Sequence, residues 1–181
     1  MTISLDPRSF LRIPFIYTSY KKLVGGYGAR KLFVKNIVRA KPNQKILDIG
    51  CGPGDILDFL PEVNYFGFDL DENYIKKAKS KYQDKGKFTC SGITDFTLPD
   101  PGTFDIVIAS GIVHHLNNQE AKKLFKTAKK ALKPKGRFIT LDGCFIKKQN
   151  LISYLLLKLD RGLFIRKKMN MKPLPMNHFK M

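Results

Sequence analysis

Residues 46–55 read ILDIGCGPGD, and this stretch restricts the possible folds more than any other part of the chain. Ile46–Ile49 has the length and apolar content of a buried strand, and Gly50, Gly52 and Gly54 follow it at every second position. Glycine tolerates positive φ and lacks the Cβ that would hold a ligand away from the backbone. A strand that ends in such a turn and passes into a helix near Asp55 predicts a parallel α/β unit. In sheets of that kind ligands lie outside the carboxyl ends of the strands.

The rest of the chain repeats the alternation. KILDI, YFGFDL, KFTC, FDIVIAS and RFITLD are short runs with β-branched or aromatic content, and DILDFLP, ENYIKKAKSKY and NQEAKKLFKTAKKAL carry helical periodicity. This pattern predicts about five strands in a mostly parallel sheet with helices on both faces, the two central strands being the most apolar. Lys133–Gly136, KPKG, reads as a helix stop and a turn into the last strand. Residues 1–40 read as an N-terminal helical cap broken at Gly25-Gly26, 41–145 as the core, and 146–181 as a C-terminal helix with a basic tail, all in one structural domain.

An apolar fraction of 43% with 27% charged residues, in a chain of 181, is that of a globular domain rather than a disordered one. Thirty-three Lys and Arg against fifteen Asp and Glu give a net charge of +18. Such a balance admits nucleic acid, an acidic membrane surface or an anionic substrate. The lysines are spread through the helical segments, as at Lys76, Lys77, Lys79 and Lys81, so they read as solvated faces and nucleic acid is not favoured. Cys51, Cys90 and Cys144 are odd in number and far apart, which predicts a reduced, cytoplasmic setting and no metal knuckle. The first fifteen residues lack the pattern of a secretory leader. The longest apolar run, LISYLLLKL, is less than half of the ~20 residues that cross a bilayer, so no transmembrane segment is expected.

The glycine spacing is G-x-G-x-G, not the G-x-G-x-x-G of a dinucleotide site. Pro53 removes an N–H that a pyrophosphate would want, and Asp48 would repel a phosphate but suit an ammonium. A ligand with an ammonium, a carboxylate and no phosphate fits best. At this point Asp48–Gly54 resembles the first motif of the class I S-adenosylmethionine-dependent methyltransferases, notably the small-molecule, type 11-like group. YFGFDLDENYIKKAK, FDIVIASGIVHHL and LKPKGRFIT resemble that family's later motifs in order, and LDRGLFIRKK echoes a segment after its fifth strand. The resemblance covers about residues 20–170. It implies a Rossmann-like, doubly wound fold, S-adenosyl-L-methionine as methyl donor and S-adenosyl-L-homocysteine as product.

The same resemblance assigns roles to matching positions. Backbone at Gly50, Cys51, Gly52 and Gly54 would receive the methionine part, with Asp48 ordering the loop and the ammonium. Asp69, 19 residues after Gly50, would accept both ribose hydroxyls, as a carboxylate can. Leu70 and Ile93 would flank the adenine beside Thr94. Gly92 stands where many members carry an acid, so Asp95 or the Ile93 backbone would take the adenine amino group. Cys51 reads as a small spacer rather than a nucleophile. Ser110 would lie near the sulfonium. His114 and His115 are the candidate bases, and the competing reading is that the doublet only opens the next helix. The Asn/Asp-Pro-Pro-aromatic sequence of adenine methylation is missing after the fourth strand, and no metal is expected. Acceptor choice is expected from the cap, with Tyr17, Tyr20, Tyr27 and Arg30, and from the helix from Lys147 to Asp160; the alternative is that the aromatics are only core side chains of the cap.

The expected function is methyl transfer to an O, N or C atom of a small molecule. The alternatives are an RNA or protein acceptor, or an inactive cofactor-binding module completed by a partner. Family members usually end in two more strands, the last antiparallel, and about twenty residues after Gly162 are too few for both. The fifth strand is then an edge to be capped by the tail, by a second copy as a homodimer, or by a partner chain.

Overall fold

The computed structural model describes residues 26–142 together with Phe164. Five strands form one sheet: β1 (Lys45–Ile49), β2 (Asn64–Asp69), β3 (Gly86–Cys90), β4 (Phe104–Ser110) and β5 (Leu132–Leu141). Their order is β3-β2-β1-β4-β5, and every neighbouring pair is parallel. The chain steps outward from β1 to β3, then returns to the other side of β1 for β4. That reversal opens a crevice at the carboxyl ends of β1 and β4. The expected Rossmann-like, doubly wound sheet is therefore present, with all five described strands parallel.

Burial explains why β1 and β4 are central. Ile46, Leu47, Ile49, Ile106, Val107, Ile108 and Ala109 are all 0% exposed, as a parallel sheet covered on both faces requires. On one face lie α1 (Tyr27–Phe33) and α2 (Glu72–Tyr82), whose Phe33, Ile75, Ala78 and Tyr82 pack with Ile46, Tyr65 and Ile108. On the other lies α3 (Asn118–Ala131), whose Leu124, Ala128 and Ala131 pack with Leu47, Ile49 and Val107. Burying one such large apolar side chain contributes ~1.5–3 kcal/mol, so the two faces dominate the stability.

Both long helices begin at side-chain caps. The Asp71 carboxylate accepts from the N–H groups of Asn73 and Tyr74. Asn117 and Glu120 form a capping box at the start of α3, each side chain bonding the other's backbone N–H. These bonds satisfy donors that a helix start leaves open.

Three segments depart from expectation. DILDFLP forms a five-residue 3-10 helix, Asp55–Phe59, which stops at Leu60 in extended conformation because the residue before Pro61 is barred from the helical region. After α1 the chain widens into a π turn, Val34–Val38, closed by Arg39 at φ 45°. The turn expected at KPKG is absorbed into β5. Leu132 pairs with Phe104 and Arg137 with Ile106, so the residues between bulge outward with Lys133–Lys135 exposed. No regular helix joins β3 to β4. Among the described residues no helix is long and apolar enough to cross a membrane. Tyr17, Tyr20, Cys144, the 147–160 helix, the basic tail and any cover over β5 lie outside the described residues.

Candidate functional site

The loop after β1 turns through Gly50, Gly52 and Gly54 at φ 71°, 55° and 74°, a region that side-chain-bearing residues adopt at a cost. Its N–H groups are already taken from within. Gly50 and Cys51 both donate to the Phe68 carbonyl, Gly52 donates to Asp69 Oδ2 at 2.8 Å, and Gly54 donates to the Cys51 carbonyl. Pro53 has no N–H to give. The loop therefore has little to offer a phosphate; what it can still present is carbonyl oxygen, which suits an ammonium. A Cβ on Gly52 would meet nothing within 4 Å, so the loop faces open space there.

Asp69 ends β2 beside that loop. Its Oδ2 accepts from Gly52 and its Oδ1 from the Asp71 N–H at 2.9 Å. Two bonds leave a carboxylate with further lone pairs, enough for two hydroxyl donors. The next residue, Leu70, is 76% exposed, an unusual position for a large apolar side chain in an otherwise ordered strand end. A Cβ on Gly92 would come within 3.5 Å of Leu70 Cδ1, so the two segments face each other. Ile93 is buried in the face that holds α3, while Thr94 is exposed and its hydroxyl donates to Asp95 Oδ2 at 3.1 Å. Asp95 thus lies close to Leu70 and Gly92. Phe96, just beyond, stacks on Phe68 at 3.7 Å.

Asp48 does not line the crevice. It is buried on the face covered by α1 and α2, where the Tyr65 hydroxyl donates to its Oδ2 at 2.7 Å. Burial pushes its carboxyl up to about 6; the Tyr65 bond opposes that rise, nearby Asp69 adds to it, and Arg30 lowers it. Its contribution is to hold the strand end beneath the loop. Cys51 tucks its sulfur against Gly67, where any Cβ would come within 2.8 Å of it. Burial, with Asp48 and Asp69 nearby, pushes the Cys51 thiol far up, which disfavours the thiolate that a nucleophile needs.

At the other side of the crevice β4 ends at Ser110, paired with Leu141 of β5, and the Gly111 N–H extends the ladder to the Leu141 carbonyl at 2.7 Å. A 3-10 turn, Val113–His115, follows. His114 is buried and its Nδ1 lies 2.7 Å from Asp142 Oδ1, just past the end of β5. His115 is exposed, with its ring centroid 4.1 Å from that of His114. The crevice thus brings together Gly50–Gly54, Asp69, Leu70 and, along the same edge, Ser110 and the two histidines.

Sequence reasoning missed Tyr65 and Asp142. Tyr65 gave no signal beyond a strand aromatic, but Asp142 had one: like Asp48 and Asp69, it is an acid at the carboxyl end of a strand. Among the described residues no group of three His, Cys, Asp or Glu side chains is placed to hold a metal ion.

Residues 46–136 match the family described as a methyltransferase domain. The chain is 28% identical over 140 residues to N-terminal Xaa-Pro-Lys N-methyltransferase 1 of Mus musculus, covering 67% of this chain and 62% of that protein. It is 34% identical over 127 residues to phosphoethanolamine N-methyltransferase of Triticum aestivum, covering 66% of this chain and 24% of the relative. The chain therefore spans about three fifths of the first relative's length and a quarter of the second's. Among solved structures, a TehB-like SAM-dependent methyltransferase from Corynebacterium glutamicum superposes with a TM-score of 0.58 at 19% identity, over 80% of this chain and 78% of that one. At that identity the likeness is one of fold.

Proposed function

This chain belongs to the methyltransferase-domain family, and from that premise we propose that it transfers a methyl group from S-adenosyl-L-methionine to an amine nitrogen of a small-molecule acceptor. The observation that carries the reading is the loop at Gly50–Gly54, whose N–H groups are used up internally beside the Asp69 carboxylate. Such a loop favours an ammonium and a ribose over a phosphate. The apolar face of Leu70 and the neighbouring Asp95 suit an adenine. When bound, the cofactor supplies an electrophilic methyl group on a sulfonium.

The residues of this chain then have three tasks. Gly50, Cys51, Gly52 and Gly54 bring backbone to the amino-acid end, and Asp69, Leu70, Ile93 and Thr94 hold the nucleoside. Ser110 ends β4, just ahead of the turn that carries the histidines. His114 receives the proton that an ammonium acceptor must lose before its nitrogen can attack. Orientation contributes most, because an acceptor held in line needs little further activation.

Nitrogen is favoured because His114 is backed by the Asp142 carboxylate, which suits a proton acceptor, and because the relatives reported above are named as N-methyltransferases. One of them is named for protein N-termini, which supports a second reading: the acceptor is a peptide α-amine. Calorimetry with S-adenosyl-L-homocysteine, followed by label transfer to phosphoethanolamine and to an Xaa-Pro-Lys peptide, tests both. Heat of binding with label in the small amine supports the proposal. Label only in the peptide favours the second reading, and no binding refutes both.

A further inference from the structure

Building on that functional reading, we propose that Asp142 is the positioning residue of the acceptor end. It holds His114 with the ring proton on Nδ1, so that Nε2 is the nitrogen that takes a proton from the acceptor amine. An ionised carboxylate has no hydrogen to give, so the 2.7 Å contact between Nδ1 and Oδ1 fixes Nδ1 as the protonated nitrogen. The same oxygen accepts from the His114 main-chain N–H at 3.3 Å, which ties the ring and its own backbone to one anchor. The anchor is itself set by β-sheet register, since Ser110 pairs with Leu141 and Gly111 donates to the Leu141 carbonyl. On the far side of the turn the Phe164 N–H donates to the His114 carbonyl at 2.9 Å.

Charge gives the second argument. The two side chains are only 10% and 6% exposed, and among the described residues no lysine or arginine pairs with Asp142. Its Oδ2 is buried with no hydrogen-bond partner among them. A turn that needed only a hydrogen bond could use a neutral amide and avoid burying a charge. A carboxylate is warranted where the imidazole becomes cationic. The proton leaves the acceptor nitrogen for Nε2, the nitrogen keeps its electron pair, and the resulting imidazolium faces Asp142.

The test uses the full chain with ¹⁵N-labelled histidine, and His114 resonances identified by their loss in His114→Gln. Long-range ¹H–¹⁵N spectra of the neutral ring are expected to show the proton on Nδ1 in wild type and chiefly on Nε2 in Asp142→Ala. Methyl transfer to an amine is expected to lose at least tenfold in kcat in Asp142→Ala and Asp142→Asn, while calorimetric affinity for S-adenosyl-L-homocysteine stays within about twofold. Asp142→Asn keeps the shape and remains informative if the alanine variant fails to fold. A wild-type ring protonated on Nε2, or an Asn variant with full kcat, overturns the proposal. A correct ring spectrum in a chain that methylates no amine instead upholds the positioning and refutes the functional reading.

Discussion

The Tyr65 hydroxyl donates a 2.7 Å hydrogen bond to the Asp48 carboxylate between neighbouring strands, in the buried layer under α1 and α2. Tyr65→Phe removes the donor and leaves a buried oxygen unpaired, which costs about 1–3 kcal/mol. Urea unfolding of the two proteins measures it, and equal midpoints would show that the bond contributes nothing.

Asp48 also makes stability depend on pH. Its carboxyl is raised to about 6 in the folded chain against 3.8 when unperturbed, so folding favours the neutral form. The contribution is therefore complete below about pH 4 and is lost as pH rises through about 6. Asp48→Asn removes this loss, and its stability relative to wild type should rise across that window by an amount on the order of 3 kcal/mol. Parallel unfolding series at pH 4, 5, 6 and 7 provide the check. A constant difference between the two proteins would refute the assignment.

Gly52 separates folding from binding. At φ 55° an alanine is strained by about 1 kcal/mol, but its Cβ meets no protein atom. Gly52→Ala should therefore melt only slightly below wild type while losing most of its affinity for S-adenosyl-L-homocysteine. Retained affinity by calorimetry would show that the ligand does not approach this face of the loop.

Asp69→Asn keeps an acceptor for the Gly52 N–H but removes the charge. Hydrogen bonds to a charged group contribute about 1.5–3 kcal/mol, so cofactor affinity should fall roughly ten- to a hundredfold. The variant should retain the fold. Affinity within twofold of wild type would remove Asp69 from the ribose site.

Asn117→Ala breaks the capping box of α3 and should cost about 1 kcal/mol without touching the cleft. A thermal melt measures this loss. Unchanged cofactor binding in the same protein makes it a control for the loop variants.

Much of the architecture was legible because its causes are local. The ILDIG run, the repeated glycines and the 3.6-residue spacing in ENYIKKAKSKY and NQEAKKLFKTAKKAL act through neighbouring residues, and each produced its element. DILDFLP was misleading because its periodicity is helical while Pro61 shortens what can form. KPKG carried turn chemistry, yet pairing with β4 on both sides drew it into a strand.

The chain alone determined a parallel α/β fold with a glycine turn spaced unlike that of a dinucleotide site, because backbone chirality, a missing N–H and side-chain periodicity are properties of short segments. Only the tertiary structure decided that Asp48 is buried against Tyr65 and that the loop spends its N–H groups on Phe68 and Asp69. It alone also decided that Asp142 meets His114 across 28 positions of chain. Those relationships depend on the strand order β3-β2-β1-β4-β5 and its register, which bring distant strand ends together.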